Sequence, residues 1–167
     1  VSSDLEMLQI VDDKPRMYRL LKGFSELEEM DVPAVEEKYG IPKQYILAFW
    51  GMETNYGSFM GSVDMLDSLA TLAYHPRRRR FFTNELIAYL KIVERKGLAA
   101  PKTGSWDGGF GNFQFMPTTF LAYAVDGDNN GRRDIVRNIP DAFSSAANYL
   151  RGLKWRTNEP WGREILL

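Results

Sequence analysis

The sequence predicts a mostly α-helical fold, and three observations support this. Apolar residues recur at helical spacing along most of its 167 residues, no segment alternates convincingly as a strand would, and no internal repeat is present. The length suits a single domain. We expect a helical N-terminal segment, residues 1–40, to pack on the main part of this domain, residues 41–167. Two loops interrupt the helices, one rich in glycine and one rich in aspartate.

The composition excludes several kinds of partner and chemistry. The formal net charge is −1, so nucleic acid is not an expected partner. No run is long enough to span a membrane, and Val1 opens into polar sequence without a signal peptide. The absence of cysteine excludes thiolate chemistry, and the single histidine, His75, argues against a zinc site or a Ser-His-Asp triad. Any catalysis must therefore use carboxylates, amides, hydroxyls or arginine.

The most informative stretch is a predicted helix within residues 41–57. Pro42 suits its first turn, and Gly57 suits the position just past its end. One face of this helix carries Ile46, Phe49, Trp50 and Glu53. Burial in line with apolar residues and the negative end of the helix dipole both favour a protonated carboxyl, which is how a general acid is built. The alternative is a glutamate that turns to solvent at a frayed helix end.

Further helices are predicted on both sides of this one. They comprise a stripe through Met17, Leu20, Leu21, Phe24 and Leu27, a helix that starts near Asp31 and Pro33, and helices over 64–74, 81–93, 118–124 and 140–153. Four consecutive arginines at 77–80 follow the break at His75-Pro76. They form either a solvated basic turn or a contact for an anionic ligand.

The glycine-rich loop covers residues 97–118. Between its glycines stand Trp106, Phe110, Phe113 and Phe115. Glycine lets the backbone approach a ligand closely, and aromatic rings suit the faces of sugars, so the pattern indicates a binding loop. The alternative is a structural loop whose aromatic rings lie in the core.

The aspartate-rich loop at 126–137 matches much of an EF-hand. Oxygen ligands stand at positions one, three, five and nine, with glycine at six and a carbonyl at seven: Asp126, Asp128, Asn130, Asp134, Gly131 and Arg132. Position twelve is Arg137, which cannot bind a cation, so Asp141 is the nearest substitute. The alternative is a turn that binds nothing. Oxygen-bearing residues at alternate positions, together with glycine at position six, favour a cation site.

Taken in chain order, these pieces resemble the lytic murein transglycosylases of the B type. The matching motifs are WGMETNYG at 50–57, LATLAY at 69–74 with the arginines that follow, GSW at 104–106 with QFMPT at 114–118, the aspartate loop, and SAANYL at 145–150. The match covers roughly residues 40 to 155, and the first 40 residues match poorly.

The resemblance implies a lysozyme-like α domain that cleaves the MurNAc–GlcNAc β-1,4 bond of peptidoglycan and leaves a 1,6-anhydro-MurNAc end. Glu53 would be the lone catalytic acid and base, without a catalytic cofactor. The implied substrate-binding residues are Ser105, Gln114, Phe115, Asn148, Tyr149, Arg77 and Arg78. Those implied around a structural Ca²⁺ or Na⁺ are Asp126, Asp128, Asn130, Arg132 and Asp141. The protein would act on glycan strands as a monomer in the bacterial cell envelope, periplasmic or secreted.

The glycine-rich loop departs from the family pattern at two places. Gly109-Phe110 and Asn112-Phe113 replace Ala-Met and Gln-Thr, so we expect a narrowed or redirected groove. Two other classes of function stay open. One is a hydrolase on the same scaffold, which would use water and a second carboxylate such as Asp64 or Asp107. The other is a glycan-binding domain without catalysis.

Overall fold

The computed structural model describes residues 16–20 and 27–156, and the predicted mostly helical fold is confirmed there. In chain order the elements are β1 (Arg16–Leu20), β2 (Leu27–Asp31), α1 (Val32–Tyr39), α2 (Lys43–Thr54), β3 (Val63–Asp64), α3 (Met65–Tyr74), α4 (Arg79–Glu94), β4 (Thr103–Gly104), α5 (Pro117–Tyr123) and α6 (Ile139–Gly152). Helix α3 packs along α4, α4 along α5, and α1 and α2 both contact α6.

The helical interpretation of residues 1–40 is wrong at the two segments that form a hairpin. Strands β1 and β2 pair antiparallel, with Arg16 opposite Asp31 and Arg19 opposite Glu28. The pairing joins two separate segments, which periodicity along one segment does not reveal. The helix predicted after Asp31 is present as α1, and the rest of the predicted stripe lies outside the described residues.

Helix α2 begins and ends close to its predicted bounds. Pro42 occupies the position before its first residue, with φ −59°. The left-handed residue that closes it is Asn55, with φ 48°, and not Gly57 as predicted. Tyr56 and Gly57 continue in positive φ, so the chain leaves the helix through three consecutive left-handed residues. Asparagine tolerates this conformation better than most side chains, which explains the early end.

The core joins α2, α6 and the glycine-rich loop through aromatic rings. Trp50 meets Phe143 edge to face, with ring centroids 5.1 Å apart, and Phe113 meets the same ring at 5.3 Å. Phe110 packs on Phe120 of α5 at 5.3 Å. Contacts of this kind contribute about 1 kcal/mol each beyond the burial of the rings. The loop is therefore anchored in the core by its own side chains.

A buried glutamate on α4 fixes the start of α5. Glu85 is 2% exposed, and its two carboxylate oxygens accept hydrogen bonds from the Thr118 amide at 2.9 Å and the Thr118 hydroxyl at 2.7 Å. The residue before the helix, Met116, provides no side-chain cap. Glu85 therefore accepts the hydrogen bond from a first-turn amide that a local capping residue would otherwise accept.

Replacing Glu85 with alanine should lower the free energy of unfolding by about 3 kcal/mol, because two charge-assisted hydrogen bonds are lost and a backbone donor is left unpaired. Urea unfolding followed by circular dichroism measures the change. Glu94→Ala, at an exposed glutamate of the same helix, is the matched control and should change stability by less than about 0.5 kcal/mol. Equal losses in the two variants would show that the Thr118 contact contributes nothing.

Candidate active site

A pocket of about 220 Å³ lies between α2, the end of the glycine-rich loop and α6. Its walls are mostly apolar, with few groups able to form hydrogen bonds. The lining residues are Ile46, Phe49, Glu53, Phe113, Gln114, Phe115, Met116, Thr119, Ala146, Tyr149 and Leu150. Such a composition is typical of a ligand site in which a few polar groups fix the orientation of the ligand.

Glu53 lines this pocket, but the predicted burial of its side chain is wrong. The buried face of α2 runs through Ile46, Trp50 and Thr54, so threonine rather than glutamate continues the inward stripe. Glu53 is exposed, and among the described residues its carboxylate has no hydrogen-bond or ion-pair partner. An acid on an apolar wall with no protein partner is free to meet a ligand.

Gln114 and Phe115 line the pocket from the end of the glycine-rich loop. The Gln114 side-chain amide donates to the carbonyls of Met60 at 3.2 Å and Gly111 at 3.0 Å, and the backbone takes φ 48° there. Both N–H groups of the amide are thus used within the protein, which leaves the amide oxygen as the group that can face a ligand. Phe115 is buried and packs against the ring of Tyr149, 5.5 Å between centroids.

Asn148 and Tyr149 differ in what they contact: Tyr149 faces the pocket, and Asn148 is hydrogen-bonded within the protein. Tyr149 lines the pocket, and within the described residues its hydroxyl has no hydrogen-bond partner. Asn148 does not line it, because its side-chain amide donates to the carbonyl of Tyr123 at 2.9 Å and its oxygen accepts from Arg151 at 3.1 Å. Of the two, Tyr149 is placed to contact a ligand.

The remaining candidate substrate residues lie outside the pocket lining. The Ser105 hydroxyl donates to Asp107 at 2.6 Å and accepts from the Gly109 amide at 2.9 Å, so it closes a turn of its own loop. Arg77 is exposed, and the Arg78 guanidinium lies 4.3 Å from the centroid of the Phe81 ring. Their predicted roles in substrate binding stay predictions.

Both alternative second carboxylates already hold structural hydrogen bonds. Asp64 precedes α3 and accepts from the amides of Leu66 at 2.9 Å and Asp67 at 3.1 Å, as an N-cap residue does. Asp107 accepts from Ser105. Neither residue lines the pocket, where Glu53 is the one carboxylate among the described residues.

The aspartate-rich loop gathers three carboxylates at one point. Oxygens of Asp126, Asp128 and Asp141 lie within 4.8 Å of one another. Asp134, at position nine, instead accepts from the amides of Val136 at 3.0 Å and Arg137 at 2.9 Å. Asp141, the later acid expected because Arg137 occupies position twelve, is one of the three clustered carboxylates, and its role as a cation ligand stays a prediction.

The loop is charged but pre-shaped by its own hydrogen bonds. Burial raises the pKa of the Asp141 carboxyl, against the hydrogen bonds that it accepts from the amides of Asp134 and Gly127. The negative charges of Asp128 and Asp126 raise the same pKa further. A hydrogen bond from the Asn138 side chain lowers the pKa of Asp128. Three acids held this close fit a hard cation, which would relieve their repulsion.

Other residues of the site and its supports have no strong local signal in the sequence. Met116 and Thr119 line the pocket, and Ala146 and Leu150 come from α6. Asn112 is completely buried and hydrogen-bonds to two segments, α2 and residues 135–136. A single asparagine in a loop carries no periodicity, so only the folded structure reveals what it contacts.

Comparisons with known proteins find similarity to lytic transglycosylases. The chain is 38% identical over 120 residues to the membrane-bound lytic murein transglycosylase B of Escherichia coli K12, an alignment that covers 70% of this chain and 33% of that protein. The crystal structure of SltB3 from Pseudomonas aeruginosa with NAG-NAM-pentapeptide matches with a TM-score of 0.75 and 44% identity, over 81% of this chain and 37% of that one. The Escherichia coli lytic transglycosylase Slt35 in complex with calcium matches with a TM-score of 0.71 and 32% identity, over 77% and 42%.

The chain thus spans about a third of the length of the curated relative that it matches. The sequence profile described as "Transglycosylase SLT domain" matches residues 22–167, which is most of the chain. The predicted lysozyme-like fold is confirmed by the structural matches. This chain therefore belongs to the SLT-domain transglycosylase family.

Proposed function

We propose that this domain is a lytic transglycosylase that cleaves the MurNAc–GlcNAc β-1,4 bond of peptidoglycan and closes a 1,6-anhydro-MurNAc ring. The relatives that it resembles are named lytic transglycosylases, and the matched SltB3 structure contains NAG-NAM-pentapeptide. The pocket beside Glu53 supports the same substrate class, because a sugar carries both an apolar ring face and polar substituents.

One observation carries the proposed mechanism: Glu53 is the one carboxylate that lines the pocket within the described part of the chain. Most glycosidases use two carboxylates at a set separation, so a single acid requires the substrate to supply its own nucleophile. Glu53 protonates the glycosidic oxygen as the bond to the anomeric carbon breaks. The ionised Glu53 then takes the proton of the C6 hydroxyl, whose oxygen attacks the anomeric carbon.

The exposure of Glu53 is compatible with this role. A glycan strand that fills the pocket displaces water from the carboxyl and places it between the apolar walls at Phe49 and Phe113. The Gln114 oxygen and the Tyr149 hydroxyl are the groups placed to accept or donate hydrogen bonds to sugar substituents. Proton transfer then takes place in an environment that the substrate itself completes.

The aspartate loop is proposed to bind a structural Ca²⁺, with Na⁺ as the alternative cation. Its ligands would be carboxylate oxygens of Asp126, Asp128 and Asp141, the side chain of Asn130 and the carbonyl of Arg132. The match to a relative in complex with calcium supports this assignment. The loop lies outside the pocket lining, so the cation would act on the fold and not on the reaction.

The proposed substrate places the domain in the bacterial cell envelope, where it acts as a monomer on glycan strands. The relative from Escherichia coli is named as membrane-bound. In this chain, none of the described helices has the length and apolar character needed to cross a bilayer.

Glu53→Gln should lower the rate of sacculus digestion by about 100-fold to 10,000-fold, because the amide transfers no proton. Mass spectrometry of the products measures both the rate and the anhydro ends, which are lighter by one water. Glu94→Gln is the matched control and should digest at the wild-type rate. A lytic effect that survives in a folded Glu53→Gln variant would instead indicate a binding domain without catalysis.

Products that lack the anhydro ends would favour the hydrolase alternative. Asp107→Asn then becomes the informative variant, since a hydrolase needs a second carboxylate. In the transglycosylase mechanism this substitution affects only the turn that Asp107 forms with Ser105. Loss of hydrolysis with Asp107→Asn would overturn the single-acid mechanism.

Calcium should raise the melting temperature of the wild-type protein, because it binds the native loop and not the unfolded chain. At a concentration 100 times its dissociation constant, the stabilisation is about 2.7 kcal/mol. Asp126→Ala should abolish most of the shift, and Asp67→Ala, at an exposed acid outside the loop, should leave it intact. Equal shifts in the two variants would show that calcium acts elsewhere.

A further inference from the structure

Asn112 is a buried asparagine with a fully used side chain. It is 0% exposed. Its side-chain oxygen accepts from the indole N–H of Trp50 at 2.9 Å, and its amide donates to the carbonyls of Ile135 at 2.9 Å and Val136 at 3.1 Å. Loss of any of these partners would leave a buried polar group unpaired, which is costly. The side chain of Asn112 is therefore held in one position.

The backbone of Asn112 continues the same connections. Its carbonyl accepts from the Thr54 hydroxyl at 2.9 Å, and its amide donates to the Ile135 carbonyl at 3.0 Å. Thr54 is the last residue of α2, and its hydroxyl also accepts from the Gly57 amide at 3.0 Å. A Cβ on Gly57 would stand 2.7 Å from the Asn112 side-chain oxygen, so the close approach requires glycine.

On its other side Asn112 contacts the segment that closes the aspartate loop. Residues 135–136 follow Asp134, whose amide donates to the Asp141 carboxylate at 2.7 Å. The Asp134 carboxylate in turn accepts from the Val136 amide at 3.0 Å. An unbroken chain of hydrogen bonds therefore runs from the carboxylate cluster through Asn112 to the last turn of α2.

We propose that Asn112 is a positioning residue that couples the aspartate loop to the end of α2 and so holds Glu53 against the pocket. Glu53 immediately precedes Thr54, and the three residues after Asn112 all line the pocket. When a cation draws Asp141 and its neighbours together, residues 135–136 lose freedom, and Asn112 passes this restriction to α2. The inference rests on the proposed cation site but not on the proposed reaction.

Hydrogen exchange of the full chain, with and without calcium, tests the coupling without any activity measurement. Two segments are followed: 126–138, which contains the loop, and 50–57, which contains Glu53. Calcium should slow exchange in both segments of the wild-type protein, in the distant one by about 5-fold to 150-fold, the range typical of coupling between sites.

Asn112→Ala should retain the slowing at 126–138 and lose it at 50–57. Because this variant leaves several buried groups unpaired and can fail to fold, Thr54→Val and Thr54→Ser form a milder pair. Valine keeps the shape but removes the hydroxyl, so the calcium effect at 50–57 should be about 5-fold smaller than in wild type. Serine retains the hydroxyl and should restore it.

Tyr89→Phe controls for general loss of stability. It removes the partly buried hydrogen bond from the Tyr89 hydroxyl to the Pro101 carbonyl, 2.8 Å, which has no part in the chain of hydrogen bonds described above. Calcium should slow exchange at 50–57 in this variant as in wild type.

Three results would overturn the proposal. In the first, wild-type protein responds to calcium at 126–138 but not at 50–57. In the second, Thr54→Val responds at 50–57 as fully as Thr54→Ser. In the third, neither segment responds in wild type, which would remove the cation site and the coupling together. None of these results depends on whether the domain cleaves glycan, so failure of the proposed reaction is recognised separately.

Discussion

The hydrogen-bonded closure of α2 is the constraint on which the rest of the structure depends. A helix that carries a pocket residue in its last turn needs a fixed end, because helix termini fray when their polar groups lack partners. Here the end is fixed by Thr54 and by the Trp50 indole, both bound to Asn112. The three left-handed residues that follow lead the chain out of the helix while these bonds are kept.

The hydrogen bonds between Asn112 and the end of α2 also help to fix the glycine-rich loop, which forms part of the pocket wall. The loop has almost no regular secondary structure, so its order comes from side chains. Phe110 and Phe113 pack in the core, while Asn112 between them satisfies its polar groups there. Gln114 and Phe115 then emerge at the pocket with little freedom left. Phe113 also lines the pocket, so the narrowed or redirected groove expected from these aromatic substitutions stays a prediction.

The carboxylates of the domain differ in role because their surroundings differ. Glu53 stands on an apolar wall without a partner, whereas Glu85 is buried and paired with Thr118. Asp126, Asp128 and Asp141 crowd together, with one of them buried, and repel each other unless a cation is bound. Residue type alone does not separate these three situations; solvent access and the number of N–H donors do.

The sequence by itself determined the helices from α1 onward, the aspartate loop with its late acid, and the motifs that identify the family. These depend on local periodicity, on capping residues and on short spacings, all of which act between near neighbours along the chain. Only the tertiary structure decided the β1–β2 pairing, the exposure of Glu53 and the partners of Asn112 and Glu85. The two strands belong to separate segments, and the partners of Asn112 and Glu85 lie 23 to 62 residues away along the chain. The elements that pack on α2 bury Ile46, Trp50 and Thr54, so the inward face ends at Thr54 and leaves Glu53 outside.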